Sequence, residues 1–264
     1  MIEFNVSGSL EGITRDNPLM RTIPVTFQGG VVDPSIIPPS SRCRVCDGTG
    51  VRGGPTRYEQ VADSSFEGES NTNHVFNEMC YSIFDSPTFI DLGCAGGGYI
   101  REVIDDGYLG IGVDGFSAFK QNGIDGWSKH PDHFFQLNIA KPITVESGGV
   151  PLKFDVVTAW EVAEHLYEDE IDPFVKNLAN LVTDEGLIII TVSLRDDRGH
   201  FTLKPEEWWE DILINNGLIG AHEYCKFFMG NNMATTNLIR ACHESRVFFI
   251  RKNTDPLIFC PTQS

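Results

Sequence analysis

Three groups of residues in this chain have types and spacings suited to chemistry. The first lies in FIDLGCAGGGYIREVIDDGYLGIGVD, residues 89–114. Asp91 sits in an apolar run, and Gly93, Gly96, Gly97 and Gly98 crowd the turn behind it. Small residues let backbone approach a ligand closely, and a following helix offers its N-terminal amides. Asp114 closes a second apolar run 23 residues after Asp91. A carboxylate in that position accepts hydrogen bonds from both hydroxyls of a ribose. The plainer alternative is a tight turn that needs small residues only for packing. A strand before, a helix after and an acid at the end of the next strand favour the ligand reading.

The second group is WEVAEHL, residues 160–166, with His200 in the later stretch RGHFTLKPEEWW. If a helix starts at Glu161, Glu164 and His165 fall at i+3 and i+4, on one face. Glu161, Glu164, His165 and His200 together would suit a divalent cation. Two other readings stand beside it. The carboxylates complement the positive end of a helix dipole while His165 packs there, or His165 or His200 serves as a metal-free base. Of the two, His200 is the better base candidate, because loops after strands line the substrate side.

The third group is CRVCDGTG, residues 43–50, whose C-x-x-C has the form of half a zinc knuckle. Zinc takes four ligands and no second C-x-x-C follows, so zinc at Cys43 and Cys46 is disfavoured against a turn carrying two thiols. Cys80, Cys94, Cys225, Cys242, His243 and Cys260 would complete such a site only through the fold.

The elements that must position these groups follow from pattern. Residues 1–73 read as an irregular arm, with VVDPSIIPPSSRC and GTGVRGGPTR punctuating too often for long elements and one short strand at 22–28. From residue 74 onward apolar runs alternate with amphipathic ones. Strands are predicted at 89–93, 109–114, 133–139, 154–160 and 187–194, with strand-like segments at 221–228 and 246–251. Helices are predicted at 97–107, 168–182 and 205–217. The second has apolar Ile171, Phe174, Val175, Leu178 and Leu181 at helical spacing, and the third has proline at its start and glycine at its end. Trp208 and Trp209 lie on that third helix, where one of them is expected to pack on the sheet. Strands separated by helices imply right-handed crossovers and a doubly wound α/β fold, its mostly parallel sheet covered on both faces.

Composition narrows the classes. The chain has 264 residues and a net charge of −17, from 37 acidic against 20 basic side chains. An acidic total disfavours nucleic acid as a partner, since gripping phosphates needs a basic surface. The N-terminal MIEFNVSGSLEG lacks the marks of a secretory signal, and the longest apolar run, LIIITV, is too short to span a bilayer. Cytoplasmic residence is therefore expected, and the seven cysteines are read as reduced thiols.

DLGCAGG, with Asp91, Gly93, Ala95 and Gly97, resembles the first motif of class I S-adenosylmethionine-dependent methyltransferases. A nicotinamide-binding turn would carry glycine at position 91, where aspartate stands. The resemblance continues through GIGVD, FDVVTAWEVAEHL and GLIIITV and covers roughly residues 75–252. It implies a seven-stranded sheet whose last strand is antiparallel. It also implies a methyl-donor site made by Asp91, Gly93, Cys94, Ala95, Gly97, Asp114, Gly115, Asn138, Ile139, Trp160 and Glu161, within a domain spanning residues 74–264. Asn138 replaces the aspartate often found near the adenine amine, and Ala95 replaces a glycine. The E-x-x-E-H segment is similar to that of ubiquinone-biosynthesis O-methyltransferases and of small-RNA terminal 2′-O-methyltransferases. The latter pair it with a later histidine to bind magnesium. Many methyltransferases of sugars and small metabolites carry similar text. Related sugar-pathway enzymes also bear an N-terminal zinc site, which is what makes Cys43 and Cys46 worth noting.

The expectation is methyl transfer from S-adenosylmethionine to an oxygen of a sugar or small metabolite, with no membrane partner and with the arm closing over the acceptor. The rivals are a magnesium-assisted enzyme acting on RNA ends and a non-catalytic protein that keeps the cofactor pocket.

Overall fold

The computed structural model describes the backbone of residues 5–9 and 24–29, and residues 70–147, 150–196, 199–229 and 245–254 in full apart from the Met229 side chain. The C-x-x-C at Cys43 and Cys46 lies outside these residues, as do Cys242, His243 and Cys260. Eleven strands are described. They are β1 Asn5–Ser9, β2 Pro24–Gly29, β3 Thr88–Leu92, β4 Leu109–Asp114, β5 Phe134–Gln136, β6 Ile143–Ser147, β7 Val150–Pro151, β8 Phe154–Ala159, β9 Val182–Ser193, β10 Leu218–Gly220 and β11 Ser245–Lys252. The helices are α1 His74–Ile83, α2 Gly98–Asp105, α3 Ser117–Gln121, α4 Gly126–Lys129, α5 Glu168–Leu181, α6 Glu206–Asn215 and α7 His222–Met229.

Seven strands form the main sheet in the order β10-β11-β9-β8-β3-β4-β5. β3, β4, β5, β8 and β9 pair in parallel, whereas β11 runs antiparallel to both of its neighbours. The chain leaves β3 toward β4 and β5, then returns to β8 on the other side. Strand order therefore reverses between β3 and β8, and a crevice opens beyond their carboxyl ends, where ligands of such sheets bind. Both faces are covered. Ile90, Leu92, Ile111, Val157 and Ile188 pack with α5 and α6 residues such as Phe174 and Trp209, while Phe89, Val156 and Ile189 pack with Phe76, Ile100 and Phe228 from α1, α2 and α7. This burial on two sides explains why the parallel strands read as continuous apolar runs.

A second sheet, β1-β2-β6-β7, joins the N-terminal arm to the connection between β5 and β8. β2 carries out the expectation of a strand at 22–28 with shifted ends, while β1 and β6 were not foreseen. The segment 221–228, read from sequence as a strand, is instead the helix α7. Its buried or half-buried Ala221, Tyr224, Cys225 and Phe228 recur at helical spacing. The predicted strand 133–139 shortens to β5, because Leu137 to Ala140 turn away from the sheet. No helix among the described residues is long and apolar enough to cross a membrane.

The ring of Phe134, at the start of β5, anchors the region around the glycine-rich turn. A methyl group added at Gly97, Gly112 or Gly126 would collide with that ring. At Gly112 it would lie 2.5 Å from Phe134 ring carbons and 2.9 Å from Cys94 Sγ. Gly112→Ala is accordingly expected to destabilise the protein by about 1–3 kcal/mol through overpacking, read by urea unfolding. Combined with Phe134→Leu, the loss should be smaller than the sum of the two single losses.

Candidate active site

The turn after β3 is built from alternating conformations. Gly93, Ala95 and Gly97 all have positive φ, of 87°, 47° and 79°. The N–H groups of Gly93 and Cys94 donate to Val113 O at 2.7 and 3.1 Å, and Gly97 N–H donates to Cys94 O at 2.8 Å. The left-handed backbone at 93 and 97 costs glycine little. Substitution there fails on space as well, since a Cβ at Gly93 would enter Val162. Packing and backbone conformation thus both demand the small residues, alongside any ligand.

Asp114, at the tip of β4, is buried and holds this turn. Its Oδ2 accepts Ala95 N–H at 2.9 Å and its Oδ1 accepts Phe116 N–H at 2.7 Å. Burial pushes its carboxyl up to about 6 against the pull of those two donors. Asp91 lies beside it and accepts Thr158 Oγ–H at 2.7 Å, the two residues facing each other across the β3–β8 ladder. Burial raises Asp91 to about 7. The Thr158 hydrogen bond works against this rise and the Asp114 charge adds to it. Cys94 is buried, and burial keeps its thiol well above the usual range, so it stays protonated. Gly115 follows Asp114 at the mouth. Asn138 Oδ1 accepts Ala140 N–H at 2.9 Å in a local turn, and Ile139 packs into the core on the α5 side.

Beyond β8, Trp160 stands edge-on to Phe76, with ring centroids 5.4 Å apart, and to Tyr99, 5.9 Å apart. Glu161 takes a positive φ of 49° and so cannot open a helix. Ala163–His165 form a single 3-10 turn instead of the helix read from sequence. The Glu161 N–H donates to Thr191 Oγ1 at 2.8 Å, and its Oε2 accepts Ser245 Oγ–H at 2.9 Å. Glu164 is fully buried, with Oε1 accepting Ser193 N–H at 2.9 Å. Glu161 Oε1 and Glu164 Oε2 are buried and meet no N–H or hydroxyl donor among the described residues, and a side-chain hydrogen bond joins the two carboxyls, which places the proton of Glu164 between them. Burial first, and then the Glu161 charge, push the Glu164 carboxyl up to about 8.

His165 Nδ1 meets Gly199 O at 2.9 Å and His200 Nδ1 meets Arg195 O at 2.8 Å, with ring centroids 4.8 Å apart. A carbonyl only accepts, so each Nδ1 carries the proton and each Nε2 is the basic nitrogen. Burial holds His165 below the usual imidazole range, which favours the neutral form. Ligand atoms of Glu164, His165 and His200 lie within 4.8 Å of one another. Glu161 falls outside that group, its left-handed backbone turning the carboxylate toward Ser245. The four-residue cluster read from sequence is thus three residues with Glu161 alongside. Thr158, Thr191, Ser245 and Trp127 escaped sequence reasoning because each acts through a neighbour and has no motif of its own.

The fold is a doubly wound α/β sheet with its glycine-rich turn at the point where strand order reverses, and comparison with known proteins bears on what it does. Residues 90–188 match the family model described as a methyltransferase domain. No curated protein matches the chain. Similar solved structures include a TehB-like methyltransferase from Corynebacterium glutamicum, 15% identical over 67% of this chain and 86% of that one, with a TM-score of 0.47. A methyltransferase from Clostridium acetobutylicum is 12% identical over 74% and 92%, with a TM-score of 0.48. The magnesium protoporphyrin IX methyltransferase of Synechocystis, solved with S-adenosylmethionine, is 16% identical over 64% and 90%, with a TM-score of 0.44. Residues 90–188 of this chain therefore carry a methyltransferase domain.

The two buried acids give a testable pH signature. Both titrate above their ordinary value when folded, so the folded chain keeps protons that the unfolded chain releases between about pH 4 and 7. The stability these two acids contribute is then greatest at the acid end of that window and falls as pH rises through it. Asp91→Asn, which still accepts from Thr158, should flatten the fall in urea unfolding across pH 4–7.5. An unaltered slope would show that Asp91 is ionised throughout.

Proposed function

We propose that the protein methylates a hydroxyl oxygen of a sugar or small metabolite. The observation carrying this reading is the His165–His200 pair, whose Nδ1 atoms are held by carbonyls, which makes Nε2 the basic nitrogen of each ring. A hydroxyl must lose a proton as it takes the methyl group, whereas most amines need no such help at neutral pH. S-adenosylmethionine supplies a methyl group on a sulfonium, already electrophilic. The protein's task is to align the acceptor with it and to take the proton. Asp114 would clasp the ribose, and Trp160 and Glu161 would border the methionine end. His200, half-buried beyond β9, would receive the proton.

A second reading is that a divalent cation, magnesium being the natural choice, is held by Glu164, His165 and His200. It is favoured by the ligand atoms of Glu164, His165 and His200, which lie within 4.8 Å of one another, and Glu164 would release its proton on binding the cation. There the cation would lower the hydroxyl's pKa and orient it. An RNA-end acceptor remains the weaker choice beside a chain of net charge −17.

Calorimetry with S-adenosylhomocysteine, with and without magnesium, tests both parts. Binding is expected in the low-micromolar range or tighter, and Asp114→Ala should weaken it at least tenfold as the buried ribose loses its acceptor. In turnover assays over a panel of hydroxyl acceptors, His200→Ala should lower kcat by about 10²–10⁴ while leaving S-adenosylhomocysteine affinity in place. Magnesium dependence that disappears in Glu164→Gln would establish the metal. Full turnover in chelator would remove it.

A further inference from the structure

The short segment Ile124–Trp127 lies outside every motif, yet it grips the back of the glycine-rich turn. Trp127 is 5% exposed, and its Nε1–H donates to Ala95 O at 2.8 Å. The neighbouring Gly126 N–H donates to Gly96 O at 3.0 Å. Two successive carbonyls of the turn are thus drawn toward α4. In a trans peptide the N–H points opposite to the C=O, so the Gly96 N–H, in the same peptide unit as Ala95 O, is turned away from Trp127. On its other side Ala95 is tied by its own N–H to Asp114 Oδ2. Ala95 has a Cβ and a φ of 47°, a conformation that non-glycine residues hold only when their surroundings impose it. Trp127 and Asp114 supply those surroundings from opposite ends of the residue.

The gripping segment is itself fixed. Asp125, at a φ of 33°, accepts from Ser70 Oγ–H at 2.5 Å and pairs with Arg101 of α2 and Lys129, each at 3.0 Å. Ser70 and Asn71 cross over the start of α2, where a Cβ on Gly98 would strike them. Gly126 has no room for a side chain, because Phe134 and Gly97 O occupy that space.

We propose that Trp127 is a positioning residue for the methyl donor. By holding Ala95 O, it aims the Gly96 N–H into the cleft as a donor for the carboxylate of the cofactor's amino-acid end. This inference rests on the methyl-donor reading of the site. It separates the two ends of the ligand: the ribose depends on the Asp114 carboxylate, and the amino-acid end depends on the direction of a peptide that Trp127 sets.

The test compares two ligands by calorimetry on the full chain. S-adenosylhomocysteine carries the amino-acid end, and 5′-methylthioadenosine has the same nucleoside thioether without it. Trp127→Phe, which keeps an aromatic ring and removes the donor, should weaken S-adenosylhomocysteine about three- to tenfold and leave 5′-methylthioadenosine unchanged. KM for S-adenosylmethionine should rise with kcat held. Trp127→His, which retains a ring N–H, should recover part of the loss. Asp125→Asn loosens the segment without entering the core. It should give the same selective pattern at about twofold, and it preserves the test should Trp127→Phe fail to fold. Equal weakening of both ligands, or no change in either, overturns the proposal. A wild-type protein that binds neither ligand overturns the methyl-donor reading beneath it.

Discussion

The hydrogen bond from Ala95 N–H to Asp114 Oδ2 is the contact on which the site depends. It joins the tip of β4 to the middle of the turn leaving β3, so neighbouring strands and the loop between their ends become one rigid unit. Asp114 is buried, and an unpaired carboxylate there would be costly. The two backbone donors that reduce the cost are also what fix the turn's shape. Structure and ligand binding therefore compete for one carboxylate. Each oxygen has a second lone pair, so ribose hydroxyls can be accepted without surrendering the clasp.

The two ends of the crevice are stiffened differently. On the glycine side, backbone atoms do most of the work, and the ring of Phe134 fills the space left by three glycines from three elements. On the far side, beyond β8 and β9, residues with titratable side chains are what is held, by two hydroxyls and by backbone groups. Thr191 and Ser245 hold Glu161, Ser193 holds Glu164, and the carbonyls of Arg195 and Gly199 hold the two imidazoles. The first end is set by backbone N–H groups tied within the protein, to Val113 O, Cys94 O and Asp114 Oδ2. The second offers titratable groups that hold or pass on a proton.

Much of this was legible in the sequence, for identifiable reasons. The central strands are buried on both faces, so their apolar runs and the positions of Asp91 and Asp114 could be read without three-dimensional knowledge. α5 was equally plain from its spacing. The failures share a cause. The segment 221–228 was judged by its aromatic content, although Ala221, Tyr224, Cys225 and Phe228 already carried a helical period. Glu161 was placed on a helix because the i+3 and i+4 spacing allowed it, but its left-handed backbone is imposed by Thr191 and the strand behind. β6 draws its partner from β2, more than a hundred residues away in the chain, and no local pattern reports such a pairing.

The glycine-rich turn shows how far spacing alone can be trusted. Its residues were selected from sequence as a ligand cradle, and the nearest neighbours of Gly93 and Gly97 proved to be Val162 and Phe134, protein side chains. That finding alone would leave the turn a packing device. Packing, however, does not require that Ala95 be held left-handed by two separate hydrogen bonds from opposite sides, or that a tryptophan be buried to provide one of them. A turn needed only for close approach of strand and helix would relax to glycine at that position and dispense with both. The cost of keeping alanine there is offset by those two hydrogen bonds, and the direction they give its peptide groups is the property on which the proposed role of Trp127 rests.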